Sequence, residues 1–91
     1  MDKVRHSGAS VVFWCPGCQE PHRITTAPGG WTWNASLDAP TISPSVRVTG
    51  YPTALCHSFV TGGCIQFLQD STHRLAGQTV PLPEWTYDDQ T

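Results

Sequence analysis

Two cysteines separated by a Pro-Gly pair form the strongest chemical signal in the sequence. The tetrapeptide Cys15-Pro16-Gly17-Cys18 follows a segment with the composition of a β-strand. A turn of this kind points both sulfurs to one side, and its backbone N–H groups can donate to the thiolates, as in a zinc knuckle. The spacing therefore predicts half of a structural Zn²⁺ site, which needs two further ligands from Cys or His.

The remaining ligands must come from Cys and His residues farther along the chain. Cys56 and His57 are neighbours on a predicted strand, so their side chains point to opposite faces and only one of them is expected to bind. His73 follows in a turn beyond the next strand, from which it can return to the start of that hairpin. The predicted ligands are Cys15, Cys18, His73 and one of Cys56 or His57.

Other residues keep alternatives open. His22 follows the knuckle closely and could close the site locally, while Cys64 comes after two glycines and is expected to be a free thiol. His57 shares its predicted face with Phe59, which we expect in the core, and this favours a buried imidazole. A thioredoxin-like redox pair is an alternative for the C-x-x-C motif, but it requires a helix that starts at the first Cys.

The segments that carry these residues are short, rich in β-formers and bounded by Gly and Pro. We predict one hairpin from strands over 10–15 and 22–26, and a second from strands over 56–60 and 64–68. Between them, a short strand over 31–34 precedes an edge strand or broken strand over 41–48, because Pro44 cannot donate to a sheet. Residues 70–76 are predicted as a turn or a single helical turn.

These elements predict the fold class. With 91 residues, the chain suits a single small zinc-binding domain over 1–91 with an ordered core over about 10–85. The class is mainly β: short antiparallel strands and hairpins stapled by a zinc-ribbon-like metal site. A chain this short has a marginal core, and a bound metal would add the stability that the core lacks.

Charge and hydropathy exclude several function classes. Only 13% of the residues are charged and the net charge is −2, which argues against direct nucleic-acid binding through phosphate contacts. No apolar run is long enough to span a membrane and no signal-peptide h-region follows the N-terminus. We therefore expect a cytoplasmic protein, in which a Cys pair indicates a metal rather than a disulfide.

The remaining polar and aromatic clusters predict no catalytic residue. Ser43-Pro44-Ser45 is interpreted as a turn with hydrogen-bonding hydroxyls, and Asp70 as an acid that orients a ligating His73. The chain has 4 Trp, which we expect mainly in the core. Trp85, beyond the last prolines, is the candidate for an exposed partner contact.

Taken together, these motifs resemble a family of small phage and prophage proteins. The resemblance rests on the segments F-W-C-P-G-C, W-T-W-N-A-S-L-D-A-P-T-I-S-P-S, C-H-S-F-V and I-Q-F-L-Q-D-S-T-H-R-L-A-G-Q, and it extends from about Phe13 to Trp85. Some members carry an ammonia monooxygenase label, which does not suit so small a chain without a copper site. The sequence departs from the family pattern at Ser71, where Cys is common, and at Ala35, where Gly is usual.

The resemblance implies a phage or prophage origin and a Cys/His metal site. With no predicted catalytic set, we expect a non-enzymatic accessory protein that binds and inhibits a host defence component, such as an anti-CRISPR that contacts a CRISPR effector in the cytoplasm of the infected bacterium. One alternative is a phage structural or assembly part that forms homo-oligomers. Another is a small-molecule-binding protein or zinc hydrolase-type enzyme.

Overall fold

Short antiparallel strands build the part of the chain that the computed structural model describes, residues 2–50 and 54–85. The first sheet has the order β1-β2-β3 and the second has the order β4-β5-β6-β7-β8. The described residues contain no helix, so the predicted mainly β class is confirmed. The strands are β1 (Val4–Ser7), β2 (Ser10–Cys15), β3 (Glu20–Thr25), β4 (Thr32–Trp33), β5 (Ile42–Thr49), β6 (Leu55–Thr61), β7 (Cys64–Phe67) and β8 (Thr79–Pro81).

Tight turns join the strands that are neighbours in sequence. The predicted hairpin of β6 and β7 turns at Gly62 and Gly63, whose φ angles of 58° and 86° suit residues without a Cβ. β1, which the sequence analysis did not predict, pairs with β2 through a two-residue turn between Ser7 and Ser10. It went unnoticed because β1 buries only Val4 and exposes its other three residues, so its composition is that of a loop.

A single hydrophobic core joins the two sheets. Its members are Val4, Val11, Phe13, Cys15, Cys18, Ile24, Ile42, Val46, Cys56, Val60, Ile65, Phe67 and Leu82. The prediction that Phe59 lies in the core is wrong, because its side chain is 41% exposed. In β6 the buried positions are Cys56, Ser58 and Val60, so the residues between them point outward.

The structure selects one of the two predicted alternatives for each of two segments. β5 runs through Pro44 without a break, while its pairing register with β6 shifts between Ile42 and Val46. Residues 70–76 form turns rather than a helical turn. Among the described residues, no helix has the length and hydropathy needed to cross a membrane.

Candidate catalytic and metal-binding sites

Four buried side chains meet where the two sheets join. Cys15, Cys18, His22 and Cys56 each offer one ligand atom, and these atoms lie within 4.8 Å of one another. Cys15 ends β2 and Cys18 follows the Pro-Gly turn, with the Cys18 N–H donating to the Cys15 sulfur at 3.4 Å. This metal cluster, as we name these four residues, could hold a metal ion.

The spacing of the sulfurs fits metal binding better than a disulfide. The Sγ atoms of Cys15 and Cys56 are 3.8 Å apart, far longer than the S–S bond of about 2 Å. It equals the distance of about 3.8 Å between two thiolates bound tetrahedrally to Zn²⁺ at about 2.3 Å. The buried Nε2 of His22 has no hydrogen-bond partner, which is a further sign of a site built around an ion.

The hydrogen bond between Cys15 and Cys56 shifts the pKa values of the two thiols in opposite directions. The hydrogen bond from the Cys56 thiol is the largest effect that lowers the pKa of Cys15 to about 4, with His22 and the Cys18 N–H acting in the same direction against burial. The pKa of Cys56 is raised above its usual range because its thiol donates a hydrogen bond to the Cys15 sulfur and is buried. The lowered pKa favours the thiolate of Cys15, which is the form of Cys that binds metals.

Only part of the predicted ligand set comes together in the metal cluster. The structure brings Cys15, Cys18 and Cys56 together, so Cys56 rather than His57 lies in the cluster, and His22 is the fourth member where His73 was expected. His22 pairs with Phe13 across the β2–β3 hairpin and is 4% exposed. The signal was present in the sequence, since Cys15 shares the face of Phe13 and His22 is opposite Phe13.

His73 packs against the knuckle without joining the metal cluster. Its ring lies so close to Gly17 that a Cβ there would overlap it, and it meets the Phe67 ring edge-on at a centroid distance of 4.4 Å. Its Nδ1 accepts a hydrogen bond from the Leu75 N–H at 3.2 Å. His73 therefore packs over the Cys15–Cys18 turn, outside the metal cluster, and its role as a ligand stays a prediction.

His57 lies on the outer face of the second sheet, among the residues of a triad. Its Nε2 is 3.0 Å from Oγ of Ser45, and its Nδ1 is 3.1 Å from Oδ2 of Asp70. The His57 side chain is 22% exposed and that of Asp70 is 51% exposed. A serine hydroxyl, an imidazole and a carboxylate joined in this order have the connectivity of a Ser-His-Asp triad.

The backbone of His57 is held from the side of β7. Ser71, a buried residue, accepts the His57 N–H at 3.0 Å and donates its hydroxyl to the His57 carbonyl at 3.1 Å. The Leu68 N–H donates to the same carbonyl at 2.8 Å. These bonds fix the strand position from which the imidazole reaches Ser45.

Ser45 occupies the irregular part of β5. The four steps from Ile42 to Val46 face only two steps on β6, from Val60 to Ser58, and such bulges re-aim side chains beside active sites. The indole N–H of Trp31 donates to the Ser45 carbonyl at 3.1 Å. The interpretation of Ser43-Pro44-Ser45 as a simple turn is therefore wrong, because these residues lie within a strand.

The other predicted site residues lie apart from both clusters. Trp85 is half-buried, like the other three tryptophans, and its backbone N–H donates to the Asp2 carbonyl at 2.9 Å. Its proposed contact with a partner stays a prediction. Cys64 is a half-buried free thiol, as expected.

The fold and the triad together define a small all-β protein with the site geometry of a serine hydrolase. The chain belongs to the family whose model is described as "Bacterial ubiquitination-like system serine protease (BubE)", which matches residues 1–68. Ser45 and His57 lie inside the matched range, and Asp70 follows just after it. No curated protein and no solved structure matches the chain.

The family overturns the expected function. The hypothesis of a non-enzymatic, anti-CRISPR-like inhibitor is wrong, because the family is one of serine proteases. The triad was not predicted because its members come from separate segments of the sequence. They come together only when β5 pairs with β6 and the turn after β7 lies beside β6. The resemblance to phage and prophage proteins stays a prediction.

Proposed function

We propose that this protein is a serine protease in which Ser45 is the nucleophile, His57 the general base and Asp70 the residue that orients His57. The observation that carries the proposal is the pair of hydrogen bonds, 3.0 Å from His57 to Ser45 and 3.1 Å from His57 to Asp70. Membership of a serine protease family supports it independently.

The reaction follows from these contacts. Ser45 Oγ attacks the carbonyl carbon of the scissile bond while His57 Nε2 takes the hydroxyl proton. When the tetrahedral intermediate collapses, the C–N bond breaks and the imidazolium returns the proton to the leaving amine. Water then attacks the acyl-enzyme with the same base, which releases a carboxylic acid and restores the Ser45 hydroxyl.

Asp70 acts on the imidazole rather than on the substrate. By accepting a hydrogen bond at Nδ1, it holds the tautomer in which Nε2 lacks a proton and faces Ser45. It also stabilises the imidazolium that forms during attack. Because Asp70 is 51% exposed, water screens part of this interaction, and its contribution should be smaller than in a buried triad.

We also propose that the metal cluster holds a structural Zn²⁺. Three thiols and one imidazole are a common ligand set for structural zinc, and all four residues are buried. Bound zinc would cross-link β2 and β6 by coordinating residues of both sheets, and would thereby stabilise the strand that carries His57. It takes no part in the reaction, since the ligands lie on the opposite face of β6.

The first test is covalent labelling of the full-length protein with a small fluorophosphonate. The expected result is one adduct per chain, mapped to Ser45 by peptide mass spectrometry and absent from Ser45→Ala. Ser43→Ala is the matched control, because Ser43 is an exposed serine two residues away on the same strand. Labelling of Ser45→Ala at the wild-type rate, or no adduct on the folded wild-type protein, would refute the proposal.

A further inference from the structure

One edge of β5 carries backbone groups that no other strand of the described residues uses. β6 lies along one side of β5, whereas β4 pairs with the other side only at Ile42 and Ser43. Within residues 2–50 and 54–85, no strand pairs with the β4 side of β5 from Ser45 to Thr49. We call this segment the free edge of β5.

The direction of each backbone group on this edge follows from the bonds on β6. His57, which is opposite Arg47, uses its N–H and its carbonyl on the β7 side, with Ser71 and Leu68. Arg47 and His57 are therefore a non-hydrogen-bonded pair of the antiparallel ladder. The N–H and the carbonyl of Arg47 must point away from β6, towards the free edge.

The same alternation holds at both ends of the free edge. Leu55, opposite Thr49, also bonds towards the β7 side, through its N–H and carbonyl to Thr72. At the other end, the Ser45 carbonyl points towards the β4 side, where it accepts the Trp31 indole N–H. Ser45, Arg47 and Thr49 thus present backbone groups on one side, and the side chains of Arg47 and Thr49 are exposed.

We propose that a polypeptide substrate adds to the free edge of β5 as an extended antiparallel strand, hydrogen-bonded to the backbone of Arg47 and Thr49. This inference rests on the proposed protease function. Exposed sheet edges bind extended peptides through main-chain bonds. An antiparallel peptide runs from Thr49 towards Ser45, so residues before the scissile bond pair with β5 and the scissile carbonyl arrives at the nucleophile.

The position of β4 determines which part of the substrate binds. Beyond Ser45 the edge is taken by Trp31 and β4, so the residues after the scissile bond must leave the sheet there. Substrate residues are counted back from the scissile bond, so the residue whose carbonyl is attacked is the first. If this first residue is opposite Ser45, the third residue is opposite Arg47 and the fifth is opposite Thr49. Recognition through the main chain makes this binding tolerant of substrate sequence.

The test uses acetyl-pentaalanyl diphenyl phosphonate, a peptide probe that phosphonylates active-site serines. A series of probes carries one N-methyl group each, at successive residues. We expect N-methylation at the third or fifth residue to slow Ser45 labelling about tenfold, which corresponds to the loss of one hydrogen bond to β5. Methylation at the second or fourth residue should change the rate less than about twofold, since those N–H groups point away from β5.

A pair of variants tests the same contact from the enzyme side. Arg47→Pro removes the N–H that faces the free edge and leaves the β5–β6 bonds in place, whereas Arg47→Ala removes only the side chain. We expect Arg47→Pro to slow labelling by the pentaalanyl probe about tenfold, and Arg47→Ala to leave it within about twofold. For each variant, the labelling rate of the pentaalanyl probe is divided by that of the small fluorophosphonate, which has no peptide to pair with β5, so the ratio separates a lost edge contact from a change in the triad.

The outcomes separate this inference from the function on which it rests. If the fluorophosphonate labels Ser45 but all N-methylated probes react equally, the edge does not bind substrate and the inference fails alone. Equal rates together with a dimer that Arg47→Pro dissociates in light scattering would assign the edge to a second copy. Absence of Ser45 labelling by either reagent would overturn the protease proposal as well. If Arg47→Pro does not fold, the N-methyl series on the wild-type protein decides.

Discussion

The metal cluster and the Ser45–His57–Asp70 triad share β6 but lie on opposite faces of its sheet. Cys56 is 1% exposed and belongs to the core, whereas the side chain of the next residue, His57, is 22% exposed. Because side chains alternate along a strand, one strand can supply a residue for stability and a residue for chemistry without a loop between them. The difference in burial separates the proposed roles of the two regions.

The two regions also differ in how the chain assembles them. The metal cluster takes Cys15 and Cys18 from one short turn and His22 from the strand that follows, so most of it forms locally. The triad joins Ser45, His57 and Asp70 across separations of 12 and 13 residues. The triad exists only when the second sheet is paired in register, so changes that disrupt the metal cluster should also impair the triad. Changes in the triad should leave the metal cluster intact.

The largest effect is expected from removing the imidazole of the triad. His57→Ala should lower the rate of fluorophosphonate labelling at Ser45 by about 10³-fold or more, because His57 Nε2 is the base that is hydrogen-bonded to the Ser45 hydroxyl. Zinc content, measured by native mass spectrometry, should stay unchanged. The matched variant His22→Ala should instead lose the bound metal and lower the melting temperature. Loss of zinc from His57→Ala would merge the two regions and contradict the separation.

Removing a thiolate should break both regions together. Cys56→Ser should lose bound zinc and lower the free energy of unfolding by several kcal/mol, about 3 or more, since structural zinc sites contribute folding energy directly. Labelling of Ser45 should fall with the folded fraction, followed by circular dichroism. Chelation of the wild-type protein should reproduce both changes.

The control for Cys56→Ser is Cys64→Ser, on the next strand. Cys64 is a half-buried free thiol outside the metal cluster, so its replacement should leave zinc content and labelling unchanged. Equal stability of Cys56→Ser and the wild-type protein in the presence of zinc would show that the cluster does not hold a structural metal.

A smaller effect is expected at the carboxylate. Asp70→Asn should lower the labelling rate by about 10- to 100-fold, less than for a buried triad, because an exposed carboxylate is screened by water. The folded stability should change little. Asp38→Asn, at another exposed carboxylate with a serine partner, should leave the rate unchanged. If Asp70→Asn reacts as fast as the wild-type protein, Ser45 and His57 act as a dyad.

The smallest effect is expected from the residue that holds the His57 backbone. Ser71→Ala removes one hydroxyl that makes two hydrogen bonds to His57 and should lower the free energy of unfolding by about 1–2 kcal/mol. Ser58→Ala is the contrasting change, since the buried Ser58 hydroxyl has no hydrogen-bond partner and its removal should be neutral or stabilising. Urea unfolding measures both; equal losses would show that the Ser71 bonds contribute no stability.

The parts that sequence analysis predicted correctly are those governed by neighbouring residues. The Cys15–Cys18 turn, the β6–β7 hairpin and the opposite faces of Cys56 and His57 all follow from local spacing and strand period. The choice of face was wrong, because Phe59 was assumed to be buried by its hydrophobicity alone. Apolar side chains are common on protein surfaces. In β6 the polar Ser58 is buried and the apolar Phe59 is exposed, which is the reverse of the arrangement that hydrophobicity predicts.

The triad could not be derived because nothing in the order of the residues brings its members together. Ser45 reaches His57 through a register shift in β5, and a bulge of this kind has no fixed sequence signature. Pro44 predicted an edge strand or a break, and the strand continues through it. Asp70 was assigned to the nearby His73, whereas its oxygen reaches back to His57 at the start of the hairpin.

The direct adjacency of Cys56 and His57 limits which changes in chain length the protein can accept. An insertion of one residue between them would put the metal ligand and the general base on the same side of β6, and no side-chain substitution could restore both. Insertions at the Gly62-Gly63 turn do not change which faces of β6 Cys56 and His57 occupy. Length variation in natural or engineered versions should therefore be absent between positions 56 and 57 and tolerated at the tip of the hairpin.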